Sequence, residues 1–217
     1  MSAPNSAETP QPSDATSWDD LLARGTEHIQ RAFHELTAAT SDYAGHSPDL
    51  IWGNLQTPAY AQEVLRMVAR LHQLPDDSHA GAAERTARAR YLGQDGRTYH
   101  VMLGEQALLT GIGGPEVMRA QLEHLLAALD TPGLRLGIIP ARARLHVYPG
   151  DGFGIHDGTR VEVEGYRGCE TISDPKRVGL FHRAFRLLQE SAVYGQDARA
   201  LITEALHGWQ SPPGLGR

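Results

Sequence analysis

Apolar residues recur at helical spacing toward both ends of the chain, and strand-like runs fill its middle. Behind Ser17, a residue suited to capping, Trp18, Leu22, Ile29, Phe33 and Leu36 share a helical stripe, which predicts a long first helix from 17 to about 43. Gly45, His46, Ser47 and Pro48 break it, and Leu50, Ile51 and Trp52 follow as a short extended run. Thr57 and Pro58 offer a cap and a first-turn proline to a second helix, with Tyr60, Val64, Met67, Val68 and Leu71 on one face. Residues 82–91 suggest a third helix. Strands are predicted at 98–103 and 134–139, joined by a helix over 115–129 whose Met118, Leu122, Leu125 and Leu129 form an apolar stripe.

Three more runs, 145–148, 152–156 and 160–166, are separated by Pro149-Gly150-Asp151 and Asp157-Gly158 turns and read as an antiparallel meander. Asp174 and Pro175 open a helix carrying Val178, Phe181, Phe185 and Leu188, and a last helix spans about 196–207. The order predicts an α+β fold: a small, mostly antiparallel (mixed) sheet with one βαβ-like crossover, packed by N- and C-terminal helices. Residues 1–16 are polar and expected to be a disordered tail, 17–209 a single domain, and 210–217 a flexible C-terminus.

With 217 residues, 41% of them apolar and 21% charged, the chain suits one folded domain. Its formal charge of −6 supplies no general attraction to phosphate, so direct nucleic-acid binding is not expected. Cys169 is the single cysteine, which fits a reducing compartment and rules out an intramolecular disulfide. No run of about 20 apolar residues and no signal-peptide pattern is present, so a cytoplasmic protein without a membrane segment is expected. The histidines lack zinc-ligand spacing, and no nucleotide or flavin motif occurs, so no cofactor is expected.

Several separated motifs occur in an order that resembles one family. Tyr99-His100-Val101-Met102-Leu103 leads to Glu105-Gln106-Ala107-Leu108-Leu109, Gly111-Ile112-Gly113-Gly114-Pro115-Glu116 and Gln121-Leu122-Glu123-His124-Leu125-Leu126. Asn54-Leu55-Gln56-Thr57-Pro58-Ala59-Tyr60 precedes them, and Gly152-Phe153-Gly154-Ile155 and Phe181-His182-Arg183-Ala184-Phe185 follow. Over about residues 50–206 the chain resembles the C-terminal domain, of unknown biochemical function, of actinobacterial antitoxin-like helix-turn-helix (XRE-type) transcriptional regulators. The pattern departs from the family at Ile51-Trp52-Gly53-Asn54 and at Val161-Glu162-Val163-Glu164-Gly165-Tyr166. No helix-turn-helix precedes it in this sequence, so the resemblance implies an orphan domain that binds a small-molecule ligand or a protein partner. A homodimer is compatible with that role.

The runner-up is a cofactor-independent enzyme evolved from this domain, performing cyclisation, isomerisation or elimination by acid-base chemistry on a small organic substrate. Its candidate catalytic groups are Glu105, His146, His156, Glu164 and Tyr166. Trp52, Gln56, Tyr60 and Tyr148 are the candidate ligand contacts. Pairing Tyr148 with Phe153 puts His146 and His156 on opposite faces of a hairpin, while a one-residue slip brings them together. Arg160, Glu162, Glu164 and Tyr166 share a strand face that is either solvated or, under covering helices, part of a cavity. Gln56 and Thr57 are also natural helix caps, Glu105 a helix-start charge, and Gly111-Ile112-Gly113-Gly114 a tight turn rather than an anion cradle. Arg85, Arg88, Arg142, Arg144, Arg183 and Arg186 could bind acidic partners but read mostly as solvated faces, and Cys169 as a half-buried side chain without a nucleophile's surroundings.

Overall fold

The computed structural model describes residues 15–166 and 168–210; the two termini expected to be disordered or flexible fall largely outside them. Ser17 caps α1 (Trp18–Leu22) by accepting a hydrogen bond from the Asp20 N–H at 3.2 Å. The predicted long first helix is two helices. Gly25, with φ of +91°, turns the chain before α2 (Thr26–Ala39), a backbone geometry that side chains disfavour. The segment read as a break is instead β2 (Asp42–Ser47), following the three-residue β1 (Ala15–Ser17).

A 3-10 turn (Gly53–Leu55) leads into α3 (Pro58–Leu71), capped by the Thr57 hydroxyl as its sequence suggests. Then come α4 (Ser78–Ala87), a 3-10 turn (Arg88–Tyr91), β3 (Thr98–Gly104), the short α5 (Gln106–Leu109), α6 (Pro115–Ala128) and β4 (Leu134–Ile139). The described residues end with β5 (Gly152–His156), β6 (Arg160–Gly165), β7 (Gly168–Ile172), α7 (Pro175–Gln189), β8 (Val193–Tyr194) and α8 (Gly195–Gln210).

The strands form one mixed sheet in the order β1-β7-β6-β5-β2-β3-β4-β8, so the fold is α+β. Five of the seven pairings are antiparallel; β2/β3 and β3/β4 are parallel. There are therefore two crossovers rather than the single one expected, because β2 precedes the crossover through α3 and α4. No strand forms at 145–148: this stretch is loop, with Leu145 and Tyr148 exposed, so neither predicted hairpin register exists. β5 pairs with β2 and β6 instead.

Strand alternation sends side chains to two cores. On one face Tyr43, Tyr99, Val101, Leu103, Leu136 and Ile138 pack beneath α3, α6 and α8. On the other, Met102, Phe153, Ile155 and Val161 meet Val178, Phe185 and Leu188 of α7. Gln121 of α6 locks the entry to α3: its carboxamide accepts from Thr57 N and donates to Leu55 O, each at 2.7 Å, although the residue is fully buried. The α2–α4 helical group stands over β2, β5 and β6 and leaves a cavity between helix and sheet.

Candidate functional site

The floor of the cavity is made by small residues and one ring. Gly45 of β2 and Gly154 of β5 are cross-strand partners on the helix-facing side. The ring of Tyr43 lies across both: a Cβ added at Gly154 would stand 2.6 Å from the Tyr43 hydroxyl, and one at Gly45 would stand 2.6 Å from its Cε1. Trp52 stacks on Tyr43 with ring centroids 4.9 Å apart and planes 24° apart, and Tyr99 closes the group at 5.9 Å from Trp52. Burial, reinforced by Glu164, pushes the Tyr43 phenol far above its usual range.

The sheet side of the wall comes from β5 and β6. His156, opposite Tyr43 in the register, meets its ring edge-on at 5.1 Å, and its Nδ1 lies 2.8 Å from Thr40 Oγ1. Burial draws His156 down to about 4, so it is neutral at pH 7. Glu162 is buried and fully engaged, accepting from Arg160 Nε at 2.6 Å, from Thr171 Oγ1 at 2.9 Å and from Cys169 Sγ at 3.3 Å. Burial first, then Glu164 and Glu162, raise the Cys169 thiol far above its usual range, leaving it inert as a thiolate nucleophile.

The roof carries the charge. Helix α4 is rich in small residues, and Gly81 packs so closely that an added Cβ would stand 2.7 Å from Thr26 Oγ1 and 2.8 Å from Leu65 Cδ1. This close approach to α2 and α3 brings Arg85 and Arg88, three residues apart and so on one helical face, over the cavity. Gln30 Oε1 accepts from Arg85 Nε at 2.9 Å and from Arg88 Nη2 at 3.1 Å. Gln56 Oε1 accepts from Arg85 Nη1 at 3.1 Å, and Arg85 O accepts from Arg88 Nε at 3.0 Å. Every one of these acceptors is neutral. Among the described residues no carboxylate lies within ion-pair distance of either guanidinium, and Glu164 acts on both only from farther away. Burial, and then the charge of Arg85, pull Arg88 down to about 9.

The volume enclosed is about 500 Å³, within the range of small-molecule sites. Of the residues singled out from the sequence, Trp52, Gln56, His156, Glu164 and Tyr166 border it, the last two from exposed positions at the rim. The others lie elsewhere. Glu105 accepts from Ala141 N at 2.6 Å and so ties down the loop after β4. His146 and Tyr148 are exposed in the loop of 140–151, far in register terms from any strand pairing with His156. Tyr60 is a core residue whose hydroxyl accepts from Ile51 N at 3.3 Å. Gly113 and Gly114, with φ of +67° and +86°, form the expected tight turn.

Arg85 and Arg88 were expected on a solvated face; Arg88 is instead only 7% exposed, and Arg85 lines the cavity. Gln30 and Tyr43 carried no functional expectation at all. The usable signal was an i,i+3 arginine pair at the end of a helix rich in alanine and glycine. Among the described residues no cluster of His, Cys, Asp and Glu is arranged to hold a metal ion, and no helix is long and apolar enough to cross a membrane.

Fold and site together define an α+β domain with a ligand-sized cavity between helices and sheet. The chain belongs to the family described as a domain of unknown function, DUF5753, whose model matches residues 30–204. That span contains every polar group of the cavity from Gln30 to Glu164. No curated protein matches the chain. Among solved structures it is similar to NucT from Helicobacter pylori, at 10% identity and a TM-score of 0.37, covering 76% of this chain and 92% of that one. It is also similar to TrmBL2, an archaeal chromatin protein, at 14% identity and a TM-score of 0.38, covering 81% of this chain and 58% of that one. Likeness at this level carries no inference about function.

Proposed function

We propose that this protein is a ligand-binding domain that holds a small organic molecule in the cavity between the α2–α4 helices and the sheet. The observation that carries this reading is the Tyr43–Trp52 stack laid over the Gly45–Gly154 pair. Two glycines are needed there to seat one ring, and the ring forms an apolar wall beside a space of about 500 Å³. A stacked aromatic wall with a few directed polar groups is the usual make-up of a small-molecule site. The role agrees with the sensing domain of the antitoxin-like regulators that the sequence resembles, and in that setting the bound molecule acts as an effector.

Binding is preferred over catalysis because the acid-base candidates on the sheet side of the cavity are poorly suited to proton transfer. His156 is too weak a base near pH 7 and is already engaged with Thr40, Glu162 is saturated with donors, and Glu164 and Tyr166 stand at the exposed rim. The test is a thermal-shift screen of the purified protein against fractionated metabolite extract. A fraction that raises the melting temperature in a saturable way supports the reading, and conversion of the active molecule on incubation moves it to the enzyme. If no fraction shifts the transition, the cavity is not a ligand site.

A further inference from the structure

The roof of the cavity shows what kind of molecule fits. Two guanidinium groups share a single carboxamide oxygen, Gln30 Oε1; Gln56 Oε1 and the Arg85 carbonyl also accept from them, and Arg88 lies 6.0 Å from the centre of the Phe33 ring. Burying one arginine without a counter-ion is costly, and placing a second beside it adds repulsion. Proteins normally meet that cost with a carboxylate, yet among the described residues Glu162 serves Arg160, and Glu84 serves His34 and Arg31. The arrangement is also held in place. An added Cβ at Gly53 would stand 2.8 Å from Arg88 Nη2, so Arg88 reaches the cavity across a bare backbone, immediately beside Trp52. The chain as a whole carries a charge of −6, so this is a local reversal of sign and not part of a general basic surface.

We propose that Arg85 and Arg88 receive an oxyanion, a carboxylate or phosphate, borne by a small planar molecule whose flat part lies against Trp52, the outer ring of the stack on Tyr43. This rests on the cavity being a ligand site and names the chemical class it takes. Guanidinium forks suit both oxyanions because two parallel N–H donors match two oxygen atoms. The ring wall then selects anions that carry a flat apolar body over bare inorganic ones.

The test uses the full chain at constant ionic strength with sodium benzoate and phenyl phosphate as anionic probes and benzamide and benzyl alcohol as uncharged partners of similar shape. Calorimetric titration and thermal shift should both show saturable binding of at least one anion and at least about tenfold weaker binding of the uncharged pair. Comparing benzoate with phenyl phosphate tells which oxyanion is preferred. Arg88→Gln and Arg85→Gln should each weaken the preferred anion at least about tenfold, with circular dichroism confirming the fold, while Arg142→Gln, which removes an exposed positive charge from the loop of 140–151, leaves it unchanged. Uncharged probes that bind as well as the anions, folded arginine variants that keep full affinity, or a wild-type protein indifferent to both anions at millimolar concentration overturn the proposal. A metabolite fraction that still shifts the melting transition in those cases leaves the cavity reading standing and removes only the anion.

Discussion

Gly45 and Gly154 face each other across the β2–β5 ladder, and the ring of Tyr43 occupies the space that both side chains would fill. The pair therefore fixes where the ring lies and, through the stack with Trp52, the shape of the cavity wall. Gly154→Ala puts a methyl group 2.6 Å from the Tyr43 hydroxyl, which must move. Overpacking of this kind costs about 1–3 kcal/mol. Chemical denaturation should show that loss together with a changed Trp52 emission. Unchanged stability and spectrum would mean that the ring is not seated on the glycines.

Gln30 is the common acceptor of two cations, so giving it a charge separates stability from binding. Gln30→Glu supplies a carboxylate where the described residues give Arg85 and Arg88 none within ion-pair distance, and a charge-assisted bond is roughly twice as strong as a neutral one. The melting temperature of the unliganded protein should rise, by about 2–4 °C for each kcal/mol gained. The response to benzoate or phenyl phosphate should disappear because the position of the anion is filled from within. A variant that is less stable, or that still responds fully, contradicts this.

The entrance to α3 depends on Gln121, whose carboxamide satisfies one backbone donor and one backbone acceptor inside the core. Gln121→Leu leaves Thr57 N and Leu55 O buried without partners, each worth about 1–3 kcal/mol. A loss of at least about 2 kcal/mol in urea denaturation is expected, along with weaker ligand binding, since the same turn carries Trp52 and Gln56. A loss below about 0.5 kcal/mol, the scale of an ordinary surface change, would place the hydrogen bonds outside the stabilising core.

Acid should weaken the fold through histidines lowered by burial, His46 and His124 among them as well as the two that follow. His156 and His100 are each held down to about 4 from an ordinary 6.5, in both cases by burial first. The unfolded chain thus takes up protons before the folded one does, and stability present above pH 6.5 is lost progressively as pH falls toward about 4. His100 sits behind the sheet, its Nε2 2.9 Å from the Tyr194 hydroxyl, so it reports stability alone, whereas His156 reports the cavity as well. His156→Gln should flatten the slope of melting temperature against pH in that window. An identical slope in variant and wild type would show that the imidazole titrates as freely folded as unfolded.

How much of this could be read from the sequence depended on what each residue leaves visible. The strands at 134–139 and 152–156, the Thr57 cap and the α6 stripe were legible because apolar period and cap chemistry agreed there. Strand β2 was not, since Asp42-Tyr43-Ala44-Gly45-His46-Ser47 lies in the middle of the sheet yet has no β-branched residue, its small side chains being required by the ring on one face and close packing on the other. Losing β2 hid the second parallel crossover and moved Tyr43 out of the site. The run Leu145-His146-Val147-Tyr148 failed in the opposite way, alternating like a strand while finding no neighbour to pair with. Of the candidates named from the sequence, Trp52, Gln56, His156, Glu164 and Tyr166 border the cavity, whereas Arg85 and Arg88 read mostly as solvent-facing charges. Composition favours that reading of an arginine, and only the tertiary position of α4 overrides it.

The most direct measurement is native mass spectrometry of the wild-type and Arg88→Gln proteins after incubation with the same metabolite extract. The account predicts a one-to-one adduct of small mass on the wild type, lost or much reduced on the variant. No adduct on the wild type would contradict the cavity as a binding site, and an equal adduct on both proteins would contradict the role of the arginine pair.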